Sequence, residues 1–535
     1  MASATARFGV LHRVRASSLA IPAGIVALVL IMGVSAYLRT RALLAGFWID
    51  EGLSVGIASH SLTDIPSVLR LDGSPPLYYL LLHVWISVFG NGEGETHGLS
   101  VACALLTIPA ALWAGRSLAG WRAGWMAAIV AALHPFLTYY AQETRMYALA
   151  TLLSLLAVTC FIHAFVLRDR RFLAPFAILA VLLAFTHNWG LFILFATGVA
   201  FLLQLARSHE RRRLLLDGLM AYGALVVLYA VWIPTLLFQS AHTAAPWSTA
   251  PGLDKLMSAL LSVFGGPRTG PLLLLVGGVS LVALIFGRHI RLPGLDLAPA
   301  RDTEGDRRRR VAEALLLIVL VGLLAGWLSS QVAPAYTTRY FAVIVGPGMV
   351  LTGVALSNAR ALGIVAIIVL SIMWWNDRSG ELNAKSNVRN VAARTLLRPV
   401  NPGDLVVSTH PEQVPVLHYY LGSGFRYADP MGMVADPTVM DWRDALDRLK
   451  ASRPSQVETK LVDGLQPGQA LILVQPILRA YYAWRAPWTA QVKKRAIQWE
   501  RVLQRDPRLR RVDAFPRFGL SQPPRGVRVV LYRRR

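Results

Sequence analysis

Apolar runs long enough to cross a bilayer recur along the first 375 residues of this chain. A helix needs about 20 apolar residues to span roughly 30 Å of hydrocarbon. We read crossings near 19–38, 99–116, 122–138, 147–167, 172–186, 190–206, 214–237, 271–287, 311–331, 339–357 and 361–376, about eleven helices in all. Only 16% of the residues are charged, against about 25% in soluble domains. The expected fold class is therefore an α-helical polytopic membrane protein. The first run follows Arg7, His12, Arg13 and Arg15, as in the charged start of a signal peptide. It is too long for such a peptide and lacks an obvious small-residue cleavage site, so we read an uncleaved first helix.

The net charge is +24, a value that first suggests nucleic acid. The arginines argue otherwise. RDRR (168–171), RSHERRR (207–213) and RRRR (307–310) sit between apolar runs, where positive-inside bias puts them in the cytoplasm. No nucleic-acid partner is expected. Cys103 and Cys160 both fall inside apolar runs and read as small buried hydrophobes.

One apolar segment, PLYYLLLHVWISVFG (76–90), is short and follows a proline pair. The loops decide how to treat it. NGEGETHG (91–98) carries two acids and no Lys or Arg, which suits the outside, whereas Arg116 and Arg122 flank a turn that suits the inside. Both hold only if 76–90 does not cross. Asp50, Glu51, Glu93, Glu143, His187 and Arg339 then share the extracytoplasmic face.

After Trp375 the long apolar runs stop. Short β-type runs appear in DLVVST (404–409), ALILVQ (470–475) and VRVVLY (527–532), with a helix-like DWRDALDRLKAS (441–452) between them. We divide the chain into a transmembrane domain over 1–376 and a small extracytoplasmic α/β domain over 377–535. The second holds 27 Lys+Arg against 14 Asp+Glu. This suits an anionic glycan or lipid head groups, and equally a solubilising surface on a passive lid.

Charged residues at a membrane edge are costly and therefore point to function. Asp50 and Glu51, in GFWIDEGLSV (46–55), form an adjacent pair. One can serve as a general base on a hydroxyl while the other tunes it or holds a cation; the alternative is a solvated loop start or the cap of a helix beginning near Gly52. Glu143 and Arg145, in HPFLTYYAQETRMYAL (134–149), stand on the same expected face. Arg145 offers a forked grip for a phosphate, and Glu143 an acceptor-orienting or metal-binding carboxylate; the alternative is a local ion pair. Arg339 and Tyr340 open a crossing in PAYTTRYFAVIVGP (334–347), where a cation can bind a lipid phosphate or snorkel to head groups. His187, Glu93 and His97 are loop residues. Glu93 and His187 are candidate ligands of a divalent metal such as Mg, Mn or Ca, although no fixed ligand spacing accompanies them.

Taken together, WIDEGLS, PPLYYLL, the FG stretch with Glu93 and Ser100, YYAQETRMYAL, HNWG and RYF resemble the membrane glycosyltransferases of the GT-C class. The set is similar to bacterial relatives of protein O-mannosyltransferases and of the aminoarabinose and galacturonic acid transferases of lipid A. It covers residues 19 to about 375. The resemblance implies an enzyme that takes a sugar from a polyprenyl-phosphate donor. It passes that sugar to a polysaccharide, glycolipid or protein acceptor of the cell envelope, outside the bacterial plasma membrane and among its lipids. Mannosyl and arabinosyl transfer both fit. It implies Asp50 as the catalytic base, with Glu51 and Glu143 at the other acidic positions, and Arg145, Arg339 and Tyr340 at the donor phosphate. One position departs: where many relatives carry Arg, this chain has His97. WWND (374–377) lacks the Tyr-Gly of the oligosaccharyltransferase motif and reads as an interface anchor. Acceptor specificity is expected in the 238–256 loop and the C-terminal domain. The competing reading is a transporter or flippase of a lipid-linked sugar. It predicts charges near the bilayer midplane and repeated halves, and neither is evident here.

Overall fold

The computed structural model describes residues 23–243, 245–287, 290–292, 295–297, 303–376, 385–478, 484–516 and 526–535. The charged start at Arg7, His12, Arg13 and Arg15, the first residues of the 19–38 run, residue 377 of WWND and residue 244 of the 238–256 loop lie outside the described residues.

Each expected crossing corresponds to a helix. Among the described residues, seven helices are long and apolar enough to span a membrane: Ala23–Thr40, Glu93–Ala119, Tyr147–Val166, Gly190–Arg207, Arg211–His242, Thr303–Val332 and Thr338–Asn358. Trp121–Leu133, Leu173–Thr186, Gly270–Phe286 and Arg360–Asn376 are shorter apolar helices. The chain is a multi-pass membrane protein. Tyr147–Val166 and Thr338–Asn358 are buried almost throughout and form the centre of the bundle, where Thr151 Oγ1 donates to the Ala342 carbonyl at 3.0 Å. The outer helices turn Leu, Val and Ile outward, as at Val227, Val231 and Leu275, because lipid replaces water as their solvent.

The short segment 76–90 folds as Leu77–Phe89, 13 residues. Tyr78, Tyr79 and Leu82 face the protein, while Val84, Val88 and Phe89 are exposed.

The arginine-rich segments meet at one end of the bundle. Arg170 pairs with Asp217 at 2.8 Å, Arg207 lies 3.7 Å from Glu313, and Arg307 Nη2 donates to the Ser117 carbonyl at 2.5 Å. The opposite end carries the short helices of the first loop and the C-terminal unit.

Residues 385–535 build a six-stranded sheet. Its order is Gly432–Met433, Arg426–Asp429, Leu405–Ser408, Ala470–Pro476, Val527–Arg534, Leu509–Phe515. The three runs that read as strands in the sequence are its centre. Leu405–Ser408 pairs in parallel with Arg426–Asp429 (Val406 opposite Tyr427) and with Ala470–Pro476 (Val406 opposite Ile472). The remaining pairs are antiparallel. Parallel central strands are covered on both faces and so read as continuous apolar runs. Val406, Ile472, Val474 and Val529 face one core, and Leu405, Val407, Leu471 and Val530 the other.

The first core also takes in Phe47 and Val55, so the C-terminal unit sits directly on the first loop. The loop helix Ile49–Ala58 presents Gly52 and Gly56 to it, four residues apart and hence on one face. A Cβ on Gly52 would lie 2.5 Å from Val416 Cβ, and one on Gly56 1.9 Å from the Thr438 carbonyl oxygen. Only glycine permits this approach. We expect Gly56→Ala to cost about 1–3 kcal/mol by overpacking, read as a lowered thermal midpoint of the detergent-purified protein; an unchanged midpoint would mean that the two units are not held at this seam.

Candidate active site

The helix Ile49–Ala58 begins three residues before Gly52, so Asp50 and Glu51 lie in its first turn rather than at its cap. There the N-terminal dipole favours both carboxylates, yet their surroundings differ completely.

Asp50 faces the bundle. Its Oδ2 lies 3.0 Å from Arg339 Nη1. Arg339 belongs to the short 3-10 turn Thr338–Phe341 that starts the central helix, and its guanidinium stacks between the rings of Trp48 and Tyr340, at 5.5 and 5.8 Å. Arg145, in the turn before Tyr147, approaches from the other side. Its Nη1 donates to Ser54 Oγ at 3.1 Å, to Tyr79 OH at 3.3 Å and to the Asp50 carbonyl at 3.4 Å. Among the described residues, the Nε–H groups of Arg145 and Arg339 are both buried without an acceptor. Two guanidiniums with donors to spare therefore flank one carboxylate.

Glu51 points away from that cluster and is fully buried. Its Oε1 lies 2.6 Å from His97 Nε2, accepts from Lys385 Nζ at 2.8 Å and accepts from the Thr144 backbone N–H at 2.9 Å. Its Oε2 caps the Trp48 N–H at 3.3 Å. Burial alone would raise its pKa; Lys385 and His97 outweigh burial and hold it down at about 2. Lys385 Nζ also donates to the Gln142 carbonyl. Glu51 thus joins the first loop, the second loop, the helix Glu93–Ala119 and the start of the C-terminal unit. His97 is spent on this carboxylate.

The other expected residues divide. Tyr340 belongs to the Arg339 cluster, with its ring 4.9 Å from His187 and 5.5 Å from Trp189. Glu143 is buried, and its carbonyl accepts from Ser100 Oγ at 2.6 Å, which fixes the second loop against the helix Glu93–Ala119. Glu93 lies at the seam with the C-terminal unit, where Tyr420 OH donates to its Oε1 at 2.6 Å and Arg389 to its Oε2 at 2.9 Å. His187 packs instead under Tyr147 and Tyr340, and its Nδ1 accepts the Trp189 N–H at 3.0 Å. The structure does not bring these two candidate metal ligands together. Both oxygens of Glu93 are already bonded, and among the described residues no three His, Cys, Asp or Glu side chains gather around one point. Glu93 and His187 do not fit a metal centre.

Four members of the site carried no signal of their own in the sequence. Ser54 and Tyr79 hold Arg145. Asp72 ends the helix Ile65–Asp72 nearby; burial pushes its carboxyl up, while a hydrogen bond to Ser74 and the charge of Arg145 oppose this. Lys385 lies far along the chain from Glu51. A helical reading of IDEGLSVGIA would have found Ser54 one turn after Asp50, but nothing local marks Lys385.

No family model matches the sequence, and no curated protein does. Solved structures do match. ArnT from Cupriavidus metallidurans in the apo state is similar over 85% of this chain and 93% of its own, at 13% identity and a TM-score of 0.59. The same protein bound to undecaprenyl phosphate is similar over 95% and 98%, at 12% identity and a TM-score of 0.58. The arabinofuranosyltransferase AftD from Mycobacteria is similar over 95% of this chain and 39% of its own, at 14% identity and a TM-score of 0.53. The chain spans well under half of AftD. The fold is that of the GT-C membrane glycosyltransferases.

Proposed function

We propose that this protein is a membrane glycosyltransferase. It moves a sugar from a polyprenyl-phosphate donor to a cell-envelope acceptor on the extracytoplasmic face. The observation that carries the proposal is the contact of Asp50 with Arg339, with Arg145 beside them and spare N–H groups on both arginines. Displacing a lipid phosphate from an anomeric carbon needs a base on the attacking hydroxyl and positive charge on the departing phosphate. One carboxylate flanked by two guanidiniums supplies both. The arginine-rich end of the bundle lies opposite, and positive-inside bias assigns it to the cytoplasm. The fold shared with ArnT, solved with undecaprenyl phosphate, agrees with a lipid-phosphate donor.

In this reading the donor phosphate takes the guanidiniums of Arg339 and Arg145, and Asp50 is released from Arg339. Asp50 then accepts the proton of the acceptor hydroxyl as its oxygen bonds to the anomeric carbon. The carbon–oxygen bond to phosphate breaks, and polyprenyl phosphate leaves with its charge met. Glu51 is a positioning residue that holds the Asp50 helix, and the C-terminal unit clamps that helix from outside.

The test is transfer from a panel of radiolabelled polyprenyl-phosphate mannose, arabinose and galacturonic acid in membranes carrying the protein. Transfer from one of them supports the enzyme and names its donor. Labelled lipid that crosses reconstituted vesicles without transfer would replace the enzyme with a flippase. Arg339→Gln removes a charge-assisted contact of about 1.5–3 kcal/mol, so the donor KM should rise roughly 10- to 100-fold. An unchanged donor KM would remove Arg339 from the phosphate site.

A further inference from the structure

The C-terminal sheet has a reversal in its strand order. From Leu405–Ser408 the chain crosses through the helix Val414–Leu421 to Arg426–Asp429 on one side. It then returns through Ala445–Ala451 and Pro454–Asp463 to Ala470–Pro476 on the other side. The two crossovers lie on opposite faces, since Leu417 joins one core and Leu461 and Val462 the other. Open α/β sheets bind ligands outside the carboxyl ends of their strands at such a reversal, which here is the end of Leu405–Ser408 and Ala470–Pro476. The two strand ends stay together, as the Thr409 N–H donates to the Val474 carbonyl at 2.9 Å.

The residues at this point are polar, buried and poorly satisfied. His410 is only 7% exposed. Among the described residues neither of its ring nitrogens makes a hydrogen bond, and Glu412 Oε1 lies 3.5 Å from Nε2. Gln413 is 2% exposed, and its Oε1 has no donor. The Trp484 ring lies 6.4 Å from the His410 ring, and its Nε1–H has no acceptor. Buried polar atoms are nearly always paired, and unpaired ones need an explanation. Here three such side chains, His410, Gln413 and Trp484, lie at the reversal of strand order.

The chemistry selects the ligand. A switch point that binds phosphate offers glycines and free backbone N–H groups at a helix N-terminus. This one reads THPEQVP (409–415). Pro411 and Pro415 have no N–H, and Glu412 adds a carboxylate. Anions are therefore disfavoured. The side chains offer N–H donors on Trp484 and His410, acceptors on Gln413 and Glu412, and an indole face, which together suit a neutral ring bearing several hydroxyls. The turn Pro411–Gln413 leads straight into Val414–Leu421, the helix packed on Gly52 two residues from Asp50.

We propose that this switch point binds a saccharide ring of the acceptor glycan, one or more units away from the hydroxyl that reacts. This rests on the glycosyltransferase reading for the identity of the acceptor. The site itself is tested without turnover. Saturation-transfer NMR would be recorded on the full-length protein in lipid nanodiscs, with short arabinan and mannan oligosaccharides as probes. One of them should receive saturation from the wild type and from Asp50→Asn alike. Trp484→Ala, and the near-isosteric His410→Phe where the first variant is not monodisperse, should weaken that saccharide about tenfold or more. In a working transfer assay the same variants should raise the acceptor KM and leave the donor KM unchanged.

Binding equal to wild type in both variants, or no saturation transfer to either saccharide, overturns the site. Signal that disappears in Asp50→Asn also overturns it, since the sugar then lies only at the first loop. Saccharide binding that needs Trp484 and His410, without any glycosyl transfer, keeps the site and sinks the enzyme.

Discussion

Asp50→Asn should reduce sugar transfer by about 10³-fold, within the range of roughly 10²–10⁴ that a positioned general base contributes. Asparagine keeps the size of the side chain and still offers an oxygen to Arg339, now at 3.0 Å from Asp50. It cannot take the acceptor proton. The effect on donor binding has the opposite sign. In the proposed mechanism Asp50 and the donor phosphate compete for Arg339, so removing the carboxylate frees the guanidinium. Donor affinity should hold or increase while kcat collapses. This split separates the base from a merely structural residue, whose loss would weaken both. The measurement is single-turnover transfer beside equilibrium binding of the labelled donor, in the same vesicles. Transfer within about tenfold of wild type would assign the proton to another group.

The membrane half was legible because hydrocarbon imposes a length. A run of about 20 apolar residues has few alternatives to a crossing, and the charges left at the ends of such runs stand out. Asp50, Arg145 and Arg339 were visible on that ground. The direction of each side chain was not. Asp50 and Glu51 are neighbours in the chain, and a first helical turn sends them to different surroundings, one to the arginines and one to Lys385. In the C-terminal unit the apolar central strands Leu405–Ser408, Ala470–Pro476 and Val527–Arg534 were readable. Arg426–Asp429 and Leu509–Phe515 were not, since the first is mostly polar and the second carries Arg510, Arg511 and Asp513 on an edge of the sheet. Strand order, and with it the switch point at His410, depends on pairings between distant segments that leave no local periodicity. Gly52 was visible only as part of WIDEGLS, and Gly56 lay outside that motif. Their reason is the close approach of Val416 and Thr438, far along the chain.

Lys385→Met should destabilise the protein by about 3–5 kcal/mol, the usual cost of stranding one member of a buried ion pair. Glu51 is 0% and Lys385 1% exposed, and they lie 2.8 Å apart, so neither charge can turn to water. Glu51→Gln should cost a similar amount by stranding Lys385. The double variant should cost clearly less than the two together, because the charges vanish as a pair. Acid provides an independent check. Glu51 has an ordinary pKa of 4.5 and is held at about 2 in the folded chain. Its contribution is therefore complete above about pH 4.5 and is lost as the pH falls through about 2. Wild type should lose thermal stability across that window, and Glu51→Gln should lose less. Additive costs in the double variant would show that the pair is not coupled, and an identical acid profile would show that Glu51 is not the titrating group. A coupled pair would tie catalysis to the C-terminal unit physically. Lys385 belongs to that unit, Glu51 adjoins Asp50, and their ion pair then helps keep the helix bearing the proposed base in register with the domain that covers it.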